Sequence, residues 1–274
     1  LLTALVGKWH LGDADHYPET HGFDVNIGGS HWGAPRTFWW PYRGSGRFGP
    51  EFRYVPHLEF GQPGEYLTDR LTDEALKVID QSTIVIFASD NGGFIGADSR
   101  DQREVPVTSN FPLRSGKGSC YEGGIRVPLI VRWPGMTTSH SECDEPVAVM
   151  DLFPTLLNAA GVSPPNEVVL DGINLLPLLR APEARLDRDA LFFHFPHYYP
   201  TTTPVSAVRT GEWKLLEFLE DDRIELFHLK NDSGETTNLA SEQAAKARDL
   251  RDRLHHWREE IGAPMPRPNP GVID

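Results

Sequence analysis

Three short segments place oxygen donors and ammonium groups where an anionic ester could be held. Asp90 and Asn91 open the run Asp90-Asn91-Gly92-Gly93, directly after the apolar, β-branched stretch 83–88. A carboxylate and a carboxamide oxygen are hard donors, suited to Ca²⁺ or Mg²⁺ and poorly suited to soft metals. In open α/β sheets ligands collect at the carboxyl ends of strands, which is where this pair is expected. The competing reading is an Asn-Gly turn closing a hairpin. Lys117 lies in LRSGKGSCYEGGIRVP, residues 113–128, where Gly116 and Gly118 let the backbone bring the ammonium group close to a ligand. The spacing GxxxxGK[ST] of a phosphate loop is not met there. Glu122 and Arg126 are spaced for a structural ion pair.

Lys8 and His10 stand two apart in GKWHLG, so an extended backbone projects them on one face and Trp9 on the other. An ammonium beside an imidazole can bind an anionic oxygen and relay a proton, as ester cleavage requires. Each residue alone also has a duller explanation, a solvated lysine or a locally bonded histidine. Trp32, Phe38, Trp39, Trp40 and Tyr42 form an aromatic cluster that serves either as a platform for a sugar or aryl ring or as packing for a loop. Cys120 reads as a small buried side chain rather than a nucleophile. His194, His197, His255 and His256 show no metal-ligand spacing.

These groups need elements to position them. Thr3 to Lys8 reads as a short strand, and 22–63 as an aromatic loop region rich in Gly and Pro. Leu67, Leu71, Ala75 and Val78 recur at helical spacing and predict a helix from about Thr68 to Asp80, capped by Thr68. The continuous run Ile84 to Phe87 predicts a strand buried on both faces, and a helix feeding such a strand suggests an α/β sheet. Val127 to Trp133 is a second strand candidate, and Asp151 to Ala160 a helix ended by Gly161. The density of Pro, Asp and Gly marks 163–190 as a connecting segment between domains at 1–162 and 191–274. Beyond it, Ser206–Arg209, Trp213–Leu219 and Ile224–His228 predict an antiparallel meander. A helix opened by Ser241 should cover it with the stripe Leu250, Leu254, Trp257 and Ile261. The Pro-rich end from Pro264 is expected to fray or to order on contact.

A chain of 274 residues can bury a sizeable core, and its composition is that of a globular protein. A formal net charge of -13 argues against nonspecific binding to nucleic acid or to an anionic membrane. No apolar run approaches the roughly 20 residues that span a bilayer. Leu1 to Val6 does not read as a signal peptide, so the chain reads as beginning inside a domain. Two cysteines make no disulfide framework and leave the redox compartment open. Oligomeric state is not legible.

Taken in order, GKWHLG, HGFD at 21–24, FASDNGG at 87–93, GKGSCYEGGIRVP at 116–128 and MDLFPTLLNAAGV at 150–162 resemble the type I, formylglycine-dependent sulfatase family. LDGINLLPLL, RTGEWKLLEF and ELFHLKNDSGETTNLA resemble that family's smaller domain. The resemblance implies an incomplete alkaline-phosphatase-like α/β core with a mixed or parallel sheet, and a smaller C-terminal antiparallel sheet plus helix. It implies hydrolysis of aryl or carbohydrate sulfate esters, a bound Ca²⁺ held by Asp90 and Asn91, and sulfate contacts from Lys8 and Lys117. It also implies that His10 hydrogen-bonds the hydrated aldehyde, and a periplasmic or secreted location. Two departures bear on activity. Neither cysteine lies in a C-x-P-S-R type motif, the source of formylglycine, and the family's paired N-terminal aspartates have no counterpart here. An internal block is expected to be missing where Asp80 runs into Gln81-Ser82-Thr83. The chain is therefore expected to turn over little or no substrate in isolation. The alternatives are a noncatalytic, calcium-dependent module for sulfated glycans, and a phosphoesterase of the same superfamily.

Overall fold

A computed structural model of the protein describes residues 2–42, 53–58, 60–96, 108–164 and 167–267. Residues 43–52 of the aromatic loop and the tail beyond Arg267 lie outside them. The chain forms two compact units, 1–84 and 85–274, so that residues 85–162 and 191–274 share one unit.

In the first unit, β1 (Ala4–Val6) and β2 (Val25–Ile27) pair in parallel, with Leu5 opposite Asn26. Pairing continues past the strand ends through Gly7 N–H to Ile27 O (2.8 Å) and His10 N–H to Ser30 O (2.9 Å). β2 falls inside the stretch expected to be loop. Its polar residue Asn26 is buried, and its side chain closes the following turn by donating to Gly29 O and accepting from Gly29 N–H, both at 2.9 Å. Helix α1 (Leu67–Val78) begins after Tyr66, so Thr68 sits in the first turn and is not the cap. The expected stripe holds: Leu67 is buried, Leu71, Ala75 and Val78 are half-buried, and Leu67 joins Ile27, Tyr42 and Leu58 in the core. After α1, Asp80 folds a tight turn by accepting Ser82 N–H (2.7 Å) and Thr83 O–H (2.9 Å).

In the second unit, β3 (Val85–Ala88) pairs antiparallel with β4 (Leu129–Arg132) in a two-stranded sheet. Burial on both faces is not what is found for β3: Phe87 is 58% exposed and its cross-strand partner Ile130 is 62% exposed. A run of apolar residues specifies hydrophobicity but not what covers it, and here one sheet face is open. The short helix α2 (Glu122–Ile125) precedes β4. Helix α3 (Leu152–Ala159) follows a 3-10 turn at Val149–Asp151, with Gly161 left-handed at its end (φ 67°). Asp151 is fully buried, pairs with Arg188, and accepts the N–H of Ala148 (2.7 Å) and Ile173 (2.9 Å). It thereby ties α3 to the segment read as a connector, which holds helix α4 (Leu176–Arg180) and its own small core.

The C-terminal meander has four strands in sequence order: β5 (Leu191–Phe195), β6 (Val205–Thr210), β7 (Trp213–Phe218) and β8 (Ile224–His228). It is buried on both faces. One face, with Val208, Leu215 and Leu226, packs on α5 (Ala244–Glu260) through Ala247, Leu250 and Leu254, and Trp257 stacks on Phe192 at 4.8 Å. The other face, with Val205, Ala207, Leu216 and Phe227, is covered by Cys120 and Tyr121. Ile261, expected in the α5 stripe, lies beyond the helix and is 54% exposed; Ala247 and Arg258 complete the covered face instead. Arg258 is tolerated there because Glu217, on the same sheet face, accepts from its Nη2 (2.6 Å), from Arg251 Nε (2.6 Å) and from His255 Nε2 (2.8 Å).

Burial pushes the Glu217 carboxyl upward, but hydrogen bonds from His255 and Arg251 and the charge of Arg258 outweigh it and hold it below the ordinary glutamate value of 4.5. Because the folded value is depressed, this stabilisation is fully present above pH 4.5 and is lost as pH falls through the lower, folded value. Glu217→Gln is expected to cost about 2 kcal/mol or more at pH 7. Urea melts of both proteins should show the gap narrowing below pH 4.5; a gap independent of pH would contradict the ion cluster. Leu254→Ala, in the same interface, is expected to cost about 3 kcal/mol, read from the same melts.

Candidate functional site

Lys8 and His10 belong to the first unit; Asp90, Asn91 and Lys117 belong to the second. In the first, Lys8 is exposed and borders a cavity of about 260 Å³ walled by the aromatic side chains of Trp32, Phe38 and Tyr54. The expected two-residue alternation does not reach His10. Its backbone is left-handed (φ 58°), and its ring lies where a Cβ on Gly33, another cavity residue, would meet it at 2.6 Å. Trp9 is held away from this by Nε1–H donating to His16 O (2.6 Å). The aromatic cluster divides between its two readings. Tyr42 is fully buried, with its hydroxyl donating to Glu65, whereas Trp32 and Phe38 face the cavity and Trp39 is 55% exposed.

In the second unit the oxygen-donor loop and the lysine loop interlock. Gly92 N–H donates to Gly124 O (2.8 Å), and Lys117 N–H donates to Gly93 O (3.1 Å). Asn110 clasps both loops, accepting Gly93 N–H and donating to Gly93 O and Ser115 O, each at 3.0 Å. A Cβ on Gly92 would lie 1.7 Å from Gly123 O, and one on Gly116 would lie 2.4 Å from Gly93 O. Gly92 therefore serves close backbone approach. The hairpin-turn reading of Asn91-Gly92 fails on length, because β3 and β4 are joined by residues 89–128, not by a two-residue loop. Gly118 does need its left-handed backbone (φ 88°), and Lys117 O is fixed from the other side by Thr201 Oγ1–H (2.7 Å). Lys117 itself is half-buried, Asn91 half-buried and Asp90 exposed.

Asp90 and Asn91 fit a hard divalent cation in kind but not in number, since calcium takes about six to eight oxygens. Among the described residues no group of three or more His, Cys, Asp or Glu side chains is placed to hold a metal. Any further oxygens have to come from water or from other residues. Two of the histidines outside the motifs are engaged structurally: His194 bonds Ser206 Oγ (2.7 Å) and Pro264 O (2.8 Å), and His255 bonds Glu217. Cys120 is 4% exposed, and burial pushes its thiol up to about 12, which fits a packing role. Cys143 is a free, exposed thiol.

Glu122 does not take Arg126 as its ionic partner. It pairs with Lys214 Nζ (3.0 Å), which also meets Glu235 Oε1 (2.9 Å), with Arg209 Nη1 at 3.8 Å from Glu122. Asn110, Lys214 and Glu235 escape a reading by motif. One signal was available for Lys214: it stands inside the apolar strand Trp213–Phe218, where a charge at a buried register position needs a partner.

Residues 116–260 match the family model described as N-sulphoglucosamine sulphohydrolase, C-terminal. A sulfatase of Formosa agariphila is 38% identical over 201 residues, covering 68% of this chain and 34% of that protein. Human steryl-sulfatase is 35% identical over 167 residues, covering 59% and 28%, and human arylsulfatase A is 40% identical over 134 residues, covering 49% and 24%. The chain thus spans 24% to 34% of the length of these curated relatives. The crystal structure of Ps i-CgsB in complex with k-i-k-neocarrahexaose superposes with a TM-score of 0.65 at 22% identity, over 93% of this chain and 71% of that one, a likeness of fold. A second solved structure, bound to its substrate D-glucosamine-2-N,6-O-disulfate, gives 0.52 at 25% identity over 71% and 38%. With more than half of its residues inside the family model and its fold shared with these structures, the chain belongs to the sulfatase family.

Proposed function

We propose that the protein is a sulfuric ester hydrolase acting on sulfate esters of carbohydrates, with aryl sulfates as the second choice. One observation carries the reading: Lys117 is hydrogen-bonded through its backbone to Gly93, so the ammonium-bearing loop and the oxygen-donor loop after β3 are a single structural piece. In this reading Lys117 contacts the sulfate group, where its ammonium charge offsets charge developing on the sulfate oxygens, and Lys8 keeps the sulfate-contacting role that the family pattern implies for it. By the family pattern His10 would hydrogen-bond a formylglycine side chain, a group for which these 274 residues carry no source motif. Asp90 and Asn91 would supply two of the oxygens that hold a divalent cation, calcium by the family pattern. A divalent cation there would add Lewis-acid charge to the same oxygens.

Support for a carbohydrate comes from within the first unit, whose own cavity is bordered by Lys8. Its aromatic walls can stack on the C–H face of a pyranose, and about 260 Å³ is at the small end for ligand pockets, which suits a single ring. The solved relative with a disulfated glucosamine substrate points the same way. Among the described residues no helix is long and apolar enough to cross a membrane. A periplasmic or secreted location belongs to the same proposal and rests on the family pattern.

The 274 residues contain no C-x-P-S-R type segment. This polypeptide is therefore expected to bind sulfated sugar and to release little or no 4-nitrophenol from 4-nitrophenyl sulfate; substantial turnover abolished by Lys117→Ala would mean that another nucleophile operates. Calorimetry with glucosamine 6-sulfate in millimolar Ca²⁺ should give measurable heat. Lys117→Ala should weaken binding about tenfold or more, the loss of one charge-assisted contact. Asp90→Ala should remove the dependence on Ca²⁺. No heat from the parent protein, or full affinity in Lys117→Ala, would end the assignment.

A further inference from the structure

The interlocked loops are tied to the C-terminal sheet by a buried ionic cluster whose centre is Lys214. This lysine, on β7, is fully buried, and its side chain leaves the sheet on the face that carries Leu216 and Phe218. It reaches two buried carboxylates from two different segments: Glu122 at the head of α2, and Glu235 in the loop after β8. Glu235 closes the triangle, because its other oxygen accepts the backbone N–H of Glu122 at 2.6 Å. Its own backbone is left-handed (φ 53°), a conformation that costs a non-glycine residue energy and is held here by Asp232, which accepts Thr236 N–H and Thr237 N–H, each at 2.9 Å. Arg114, from the lysine loop, donates to Glu235 O (2.9 Å) and lies over the Tyr121 ring at 3.9 Å, while Tyr121 O–H donates to Glu225 (2.7 Å).

Such a cluster is a weak source of net stability, since desolvation offsets most of the attraction between buried charges. What it supplies is geometry. The turn Glu122-Gly123-Gly124 is the surface on which Gly92 rests, and the same loop starts with Lys117. We propose that Lys214 is a positioning residue for the sulfate site: by clamping Glu122 and Glu235 onto the four-stranded sheet, it sets where the Gly92 and Lys117 backbones lie. The positional claim concerns loop geometry alone; its link to sulfate rests on the function proposed above.

Backbone hydrogen exchange on the whole chain, followed residue by residue by NMR, tests it. In the parent protein the amides of Gly92, Lys117 and Glu122 should open together, with one opening free energy and one urea dependence. Separate values for the three would overturn the proposal. Lys214→Met leaves two buried carboxylates with only the more distant Arg209 to offset them and is expected to fold poorly, so the informative variant is Lys214→Met/Glu122→Gln/Glu235→Gln, which removes the three buried charges and leaves the partly exposed Arg209 to solvent. It should melt close to the parent, yet exchange at Gly92 and Lys117 should rise at least tenfold while Val208 and Leu215, on the opposite sheet face, stay protected. Unchanged exchange, or an equal rise across the sheet, would show a purely structural cluster. A titration with inorganic sulfate, run on both proteins, separates the two claims. Locally loosened exchange with no sulfate binding by the parent would keep the clamp and remove the sulfatase reading. Equal sulfate affinity in parent and triple variant would remove the clamp's link to the site.

Discussion

The second unit depends on one close approach, that of the Gly92 backbone to the carbonyl of Gly123. No side chain larger than hydrogen can occupy position 92, because a Cβ would overlap the carbonyl oxygen at 1.7 Å. Once the two backbones are in contact, Gly92 N–H finds Gly124 O, and Lys117 N–H finds Gly93 O. Asn91 and Lys117, twenty-six positions apart in sequence, are then held by the same set of hydrogen bonds. A site for an anionic ester needs donors fixed before the ligand arrives, and backbone contacts fix them without long, mobile side chains.

Around this contact the chain places charge where an ordinary core would be apolar. The C-terminal sheet carries a lysine clamp on one face and a glutamate knot on the other, three residues apart on β7: Lys214 faces Glu122 and Glu235, and Glu217 faces Arg251, His255 and Arg258 of α5. Alternation along a strand sends 214 and 217 to opposite faces. A single six-residue strand thus addresses both of its covering layers with directional contacts, which hydrophobic packing alone does not supply.

Much of this could be read from residue order. The helical stripe of α1, the meander, the glycine stop at Gly161 and the association of the DNGG and GKG segments with one family all follow from periodicity, turn chemistry and motif. Other features are written in tertiary context. The apolar run into β3 is equally compatible with a doubly covered strand and with the open face found at Phe87 and Ile130. β2 is only three residues long, too short for periodicity to register, and owes its place to Asn26 and the parallel pairing with β1. Lys214 stands at a buried register position that calls for a partner, but sequence order does not say which, since one of its two acidic partners lies ninety-two positions upstream. Ile261 continues a stripe whose helix has already ended. For Lys8 and His10, spacing predicted an alternation that the backbone does not carry, since a left-handed His10 interrupts it.

That the Asn91–Gly93 loop and the Lys117 loop act as one anion site is tested most directly by titrating isotopically labelled protein with inorganic sulfate in the presence of Ca²⁺, watching the backbone amides of Asn91, Gly92 and Lys117. The three signals are expected to shift along a common isotherm with one dissociation constant, and Asp90→Ala should weaken all three responses together. Movement of the Lys117 signal while Asn91 and Gly92 stay still, or three unrelated midpoints, would contradict a shared site.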